Sequence, residues 1–235
     1  MTSELTELIA RARVVVWDFD GPVCRLFAGY TAQRVAAGLM AWLEQRGLRD
    51  LLTDTERDTV DPQAVVRAVD RRHPGSDLVA AVDEWLAQEE LRAVSSAMPT
   101  AYADPLIRTW TALGVRMAIA TGHSPRAVTG YLDGRGLTEC FAPRIYGRDR
   151  LFDGLKPDPH HLSRALHATG TAPDAVLALG DSPLDLAAAQ AAGVPFLGYA
   201  RHEDTEQRLR AAGAPVVVRS LESVLSVLRT PVRPN

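Results

Sequence analysis

Cysteine is scarce: Cys24 and Cys140 are the only two in 235 residues. That is too few for a disulfide framework, fits a reducing compartment, and includes no pair at CxxC spacing. Long apolar runs are also missing. Nothing approaches the roughly twenty apolar residues of a membrane span, and the opening MTSELTELIARAR puts acids where a signal peptide has a basic start. A cytoplasmic protein with no membrane partner is expected. There is no excess of basic charge either: 26 Lys and Arg stand against 29 Asp and Glu, a formal net charge of -3, which gives no general attraction for nucleic acid. Internal repeats and low-complexity segments are absent, and nothing fixes an oligomeric state. With 46% hydrophobic and 23% charged residues, the chain has material for one large domain, or one carrying an insert, and a small molecule is the default partner.

Against those absences stands the run RVVVWDFDGPV, which begins at Arg13. Val14, Val15, Val16 and Trp17 have the β-branched and aromatic character of a strand buried on both faces. Asp18 and Asp20 follow at once, and burying an unpaired carboxylate there would be costly. They must be paired, metal-bound or close to water where the strand ends, and Gly21-Pro22 marks that end.

Similar apolar runs recur: VRMAIAT ending at Thr121, PRIYG around Ile145, AVLALGD ending at Asp181, VPFLGYA around Leu197 and PVVVRS around Val217. Helical segments separate them, as in Ser182-Pro183 followed by LDLAAAQAAG, with a Ser cap, an early Pro and a Gly stop. The alternation predicts a doubly wound α/β fold with a parallel sheet. The pattern breaks between Phe27 and Met98, where no convincing strand occurs. Val35, Leu39 and Leu43, and again Leu78, Val82 and Leu86, recur four apart and predict two amphipathic helices. Thr53 to Pro62 is turn-rich and acidic, and RRHPGSD is a connector. A small helical insertion over 27–98 is expected, in a Rossmann-like core of residues 1–26 and 99–235.

Thr121, Lys156 in LKPDP, and Asp181 with Asp185 in GDSPLD all flank strand-like runs. In an open parallel sheet such groups face one crevice beyond the carboxyl ends of the strands. Taken in order, DFDGPV, Thr121, Lys156 and GDSPLD resemble the four motifs of the haloacid dehalogenase-like hydrolase superfamily, in its subgroup with a helical cap inserted after the first motif. The resemblance covers essentially the whole chain. It implies a phosphatase that uses Mg²⁺, with Asp18 as nucleophile forming an aspartyl phosphate and Asp20 as the acid that protonates the leaving oxygen and later activates water. It further implies that Asp18, the backbone carbonyl of Asp20, and Asp181 hold the metal, with Asp185 in support. Thr121, Lys156 and the backbone around Gly21 and Gly122 would bind phosphate. Pro22 and Gly122 depart from the common form, which often has Thr and Asn there; neither removes a side chain that performs chemistry.

Each residue also has an ordinary structural reading: Asp18, Asp20, Thr121 or Asp181 as caps, Lys156 as a loop lysine, Asp185 as a surface charge. The ordered set favours chemistry. His123 stands between substrate contact and a loop role, and Arg25 and Phe27 lie where a leaving group would be chosen. Adjacent His160 and His161 diverge on a helix, so no zinc site is assigned. Trp42 and Trp85 are expected in the insert's core, and Cys24 as an inert lining thiol. The predicted substrate is a small phosphorylated metabolite, phosphoglycolate-like or a sugar phosphate. A phosphomutase on the same core and a catalytically silent metabolite-binding module are the alternatives. A phosphonate hydrolase would need a cap lysine, and 27–98 contains none.

Overall fold

The computed structural model describes residues 2–148 and 157–230. Helix α1 (Thr2–Arg11) leads into β1 (Val14–Trp17), and the chain then passes through a short strand β2 (Cys24–Arg25). Helices α2 (Ala32–Glu44), α3 (Asp54–Arg57), α4 (Pro62–Arg72) and α5 (Asp77–Ala93) follow, closed by β3 (Met98–Pro99). The remainder alternates: α6 (Ala103–Ala112), β4 (Arg116–Ala120), α7 (Pro125–Arg135), α8 (Thr138–Phe141), β5 (Ile145–Tyr146), α9 (His160–Thr169), β6 (Val176–Gly180), α10 (Pro183–Ala191), β7 (Phe196–Tyr199), α11 (Glu203–Ala211), β8 (Val216–Val218) and α12 (Leu221–Arg229).

Six strands form one parallel sheet in the order β5-β4-β1-β6-β7-β8. Every strand run expected from the sequence is there. β1 is central, and all four of its side chains are buried. Val15 and Trp17 pack on one face with α1, α6, α7 and α12, while Val14 and Val16 pack on the other with α9, α10 and α11. Such burial stabilises by about 1.5–3 kcal/mol per large apolar side chain, which is why this strand tolerates so little polarity. Trp17 meets Trp110 of α6 edge-on, with ring centroids 5.6 Å apart, a geometry suited to aromatic quadrupoles.

The 27–98 segment has an apolar core of its own, built from Val35, Leu39 and Leu43 of α2, Val65, Val66 and Val69 of α4, and Val79, Val82 and Leu86 of α5. Trp42 and Trp85 pack against it, as expected. Two features differ from the sequence reading. Helix α4 is a third long helix, capped by Asp61, which accepts from the Gln63 N–H at 2.8 Å, with Pro62 in its first turn. Its valines have low intrinsic helix preference and are held by packing. The chain also enters and leaves the segment through a small antiparallel ribbon, Cys24 opposite Pro99 and Arg25 opposite Met98, too short to leave a pattern. Among the described residues no helix is long and apolar enough to cross a membrane.

Candidate active site

Because β4, β1 and β6 are neighbours, the residues that follow them are brought side by side. Asp18 follows β1, Thr121 follows β4 and Asp181 follows β6. Ladder bonds fix their spacing: the Asp18 N–H donates to the Leu179 carbonyl at 2.8 Å, and the Thr121 N–H to that of Tyr146 at 2.9 Å. Asp18, Asp181 and Asp185 each present a carboxylate oxygen, and these oxygens lie within 4.8 Å of one another. Three like charges so close repel unless a cation or protons offset them. An all-oxygen, carboxylate-rich set is what a hard divalent ion such as Mg²⁺ takes, so the residues present fit the metal expected from the sequence.

Gly21 makes this convergence possible. Its φ is +109°, and a β-carbon on it would stand 2.2 Å from Asp181 Oδ2. Only a residue without a side chain adopts that backbone readily and admits the carboxylate against it. The Gly21 carbonyl accepts from the Thr100 hydroxyl, which ties the loop to the chain leaving the helical segment. Asp185 is buried and closes a capping box: its Oδ2 accepts from the Asp181 N–H at 3.1 Å, the Ser182 N–H at 3.0 Å and the Ser182 hydroxyl at 2.7 Å. It therefore fixes the Asp181 backbone, which a surface charge would not do.

Asp20 accepts the Leu26 N–H on Oδ1 at 2.8 Å, while its Oδ2 lies 3.8 Å from His123 Nε2. Thr121 is fully buried, and its hydroxyl accepts from the His123 N–H at 3.3 Å. Ser124, as expected, caps α7 and leaves Thr121 facing the site. A cavity of about 120 Å³ opens here, bordered by Asp18, Thr121, Gly122, His123, Ser182, Leu184 and Asp185, and roofed by Gln63 and Arg67 of α4. Lys156 lies outside the described residues.

His123 belongs to a buried ionic network that the sequence did not reveal. Its Nδ1 is 3.0 Å from Glu90 Oε1 on α5. Arg148, fully buried, donates to both Glu90 oxygens at 2.8 and 3.0 Å, to the Gly122 carbonyl at 2.8 Å and to Asp83 at 2.5 Å. Burial alone would raise the Glu90 carboxyl; the Arg148 guanidinium and His123 outweigh it and hold the group at about 2. Burial alone would lower His123, but the Glu90 carboxylate wins and its pKa is raised. Helix α5 is thereby clamped onto the loop that carries Thr121 and Gly122.

Other sequence expectations resolve plainly. Phe27 reaches the site, its ring 5.8 Å from that of His123. Cys24 is sealed in the core, where burial, and then the nearby Asp20 and Asp18, push its thiol up, so it is inert. His161 is buried and faces a small cavity behind Asp18 and Asp185, while His160 is only half-buried. Gln63 and Arg67 went unnoticed; their signal was the four-residue spacing that puts both on one face after the Asp61-Pro62 cap.

Comparison with known proteins bears on this geometry. The chain is 28% identical over 200 residues to a phosphoglycolate phosphatase of Rhodospirillum rubrum, covering 80% of this chain and 81% of that one. A phosphoglycolate phosphatase of Pseudomonas putida is 28% identical over 221 residues, covering 91% and 78%. Among solved structures, CbbY from Rhodobacter sphaeroides in complex with phosphate superposes with a TM-score of 0.66 at 22% identity, covering 93% of this chain and all of that one. A HAD-superfamily hydrolase of subfamily IA from Geobacter sulfurreducens gives 0.60 at 19%, covering 93% and 97%. Residues 12–193 match the family model described as haloacid dehalogenase-like hydrolase, and the chain belongs to that family.

Proposed function

We propose that this chain is a Mg²⁺-dependent phosphatase acting on a short phosphorylated metabolite of the phosphoglycolate type. The observation that carries the reading is the convergence of Asp18, Asp181 and Asp185 beside Thr121 at the ends of three neighbouring strands. Asp18 attacks phosphorus, and the phosphoryl group passes to its carboxylate as the ester oxygen leaves. Asp20 protonates that oxygen, then takes a proton from the water that hydrolyses the aspartyl phosphate. Thr121, Lys156 and the N–H of Gly122 bind the phosphoryl oxygens; the Gly21 N–H, also expected from the sequence to do so, is donated instead to the Cys24 carbonyl at 2.6 Å, so Gly21 serves the loop's shape. Asp18, the Asp20 carbonyl and Asp181 would hold the metal, with Asp185 fixing Asp181; a bound Mg²⁺ supplies positive charge against the phosphate dianion.

Residues 27–98 act in this reading as a cap over a core of 1–26 and 99–235. The cap's own apolar core and its paired entry and exit strands support that division. Substrate size and charge follow from the roof. The cavity, about 120 Å³, falls below the roughly 300–1,000 Å³ of ordinary small-molecule pockets, and Arg67, paired through one nitrogen with Asp61 at 2.8 Å, has further N–H groups for a second anionic group. A two-carbon phosphate with a carboxylate meets both conditions, and the names of the relatives point the same way. The test is phosphate release from a panel of phosphomonoesters with and without Mg²⁺. Phosphoglycolate should lead the panel, and chelation should stop turnover. Preference for a hexose phosphate would overturn the substrate, and metal-independent turnover the mechanism.

A further inference from the structure

Position 122 has no side chain, yet the space beside it is filled. A β-carbon on Gly122 would stand 2.5 Å from Gln63 Oε1 and 3.2 Å from Gln63 Cδ and Nε2. The carboxamide of a residue on α4 thus occupies the volume that a side chain next to Thr121 would take. Gln63 and Gly122 both border the cavity that holds Asp18 and Thr121.

The neighbouring imidazole does not use up the amide's donors. Gln63 Nε2 lies 3.4 Å from His123 Nδ1, but that nitrogen is closer to Glu90 Oε1, at 3.0 Å. Glu90 is a buried carboxylate paired with Arg148, so it can only accept, and Nδ1 must carry the proton it receives. A protonated Nδ1 has no lone pair for a Gln63 N–H. That imidazole therefore leaves the amide protons available, and the carboxamide borders a cavity whose expected occupant is an anion with several acceptor oxygens.

We propose that Gln63 is a substrate-binding residue contributed by the helical segment: its carboxamide donates to an oxygen of the transferring phosphoryl group, and Gly122 is the socket that admits it. The proposal rests on the phosphatase reading and adds a residue to it. It also gives the cap a direct hold on the phosphoryl group, so that docking of α4 and binding of that group favour one another.

Three variants test this. Gly122→Ala should push the flexible Gln63 amide aside without unfolding the protein, since only the end of a side chain stands in the way. Gln63→Ala removes the amide. Each should lower kcat/KM on an aryl phosphate about 10- to 100-fold, the usual effect of losing a hydrogen bond to a charged group. The double variant should fall no further than the worse single one, because both act on one contact. Gln63→Glu keeps the shape but sets an anion against the phosphoryl group, and should weaken inorganic phosphate binding more than Gln63→Ala does. Calorimetric titration with phosphate and Mg²⁺ reads the same contact even if the wild type hydrolyses no phosphomonoester, an outcome that would sink the phosphatase reading alone. Wild-type phosphate affinity in Gln63→Ala, or losses that multiply in the double variant, would overturn the role of Gln63.

Discussion

The sheet and the helical segment meet the same cavity by different means. On the sheet side, Asp18, Thr121 and Asp181 follow adjacent strands, and backbone ladders set the distances between them. On the helical side, Gln63 and Arg67 stand on α4, in a segment with a separate apolar core. Its polar hold on the sheet side includes side-chain contacts that join Glu90 and Asp83 of α5 to Arg148 and His123. Ladder bonds form together and resist single substitutions, whereas a buried ionic clamp can be broken by removing one partner. In the reading proposed above, chemistry is assigned to the rigid side and substrate choice to the side held by fewer, more specific contacts.

The comparison predicts distinct failures. The largest concerns Asp18→Asn, which keeps the volume and the backbone bond to Leu179 but removes the nucleophilic charge. Turnover should fall by about three orders of magnitude or more, with the fold retained and unfolding no easier than in the wild type; near-normal activity would refute the assignment. Arg148→Leu should act on the other side, leaving the buried Glu90 carboxylate with only His123 and the Ser124 N–H to offset it. Stability should drop by about 3–5 kcal/mol in urea denaturation, and a loss under about 1 kcal/mol would mean that the network is not a clamp.

Asp20→Ala should lower kcat by about 100-fold on alkyl phosphates and affect the first transfer much less when the leaving group is a carboxylate. Steady-state and single-turnover rates on the two substrate types separate these effects, and equal losses of the first transfer would argue against acid catalysis. The smallest effect is one of pH. The Glu90 carboxyl lies at about 2 in the fold against an ordinary 4.5. Its contribution is therefore complete above about pH 4.5 and is lost as pH falls toward 2. Between pH 6 and pH 3 the wild type should lose about 1–2 kcal/mol more than Glu90→Gln; parallel losses would show that Glu90 is not held ionised.

What the sequence made legible divides along the same line. The six sheet strands were readable because Val14–Trp17 and its counterparts are short, mostly apolar runs separated by helical segments, and a strand's end announces where its polar groups go. Asp185 was readable in part, since Ser182-x-x-Asp185 is a capping-box spacing. Helix α4 was hidden by valines that suit either a strand or a helix. The clamp was hidden more deeply, for Glu90 and Arg148 lie 58 positions apart and no local pattern links them. Gln63 looked like any polar residue in a first helical turn; its meaning depends on the missing side chain at Gly122, 59 positions later in the chain. Lys156, the only lysine in the sequence, is singled out by motif order alone and lies outside the described residues.

The most direct test of the central claim is whether a phosphoryl group passes through Asp18. Asp20→Ala, mixed with Mg²⁺ and a small acyl phosphate, then acid-quenched within milliseconds and weighed intact, should carry one added phosphoryl group, which peptide mapping places on Asp18. Its general base is gone, so the aspartyl phosphate should accumulate. Continued turnover with no added mass, or a phosphoryl group on another residue, would contradict the account.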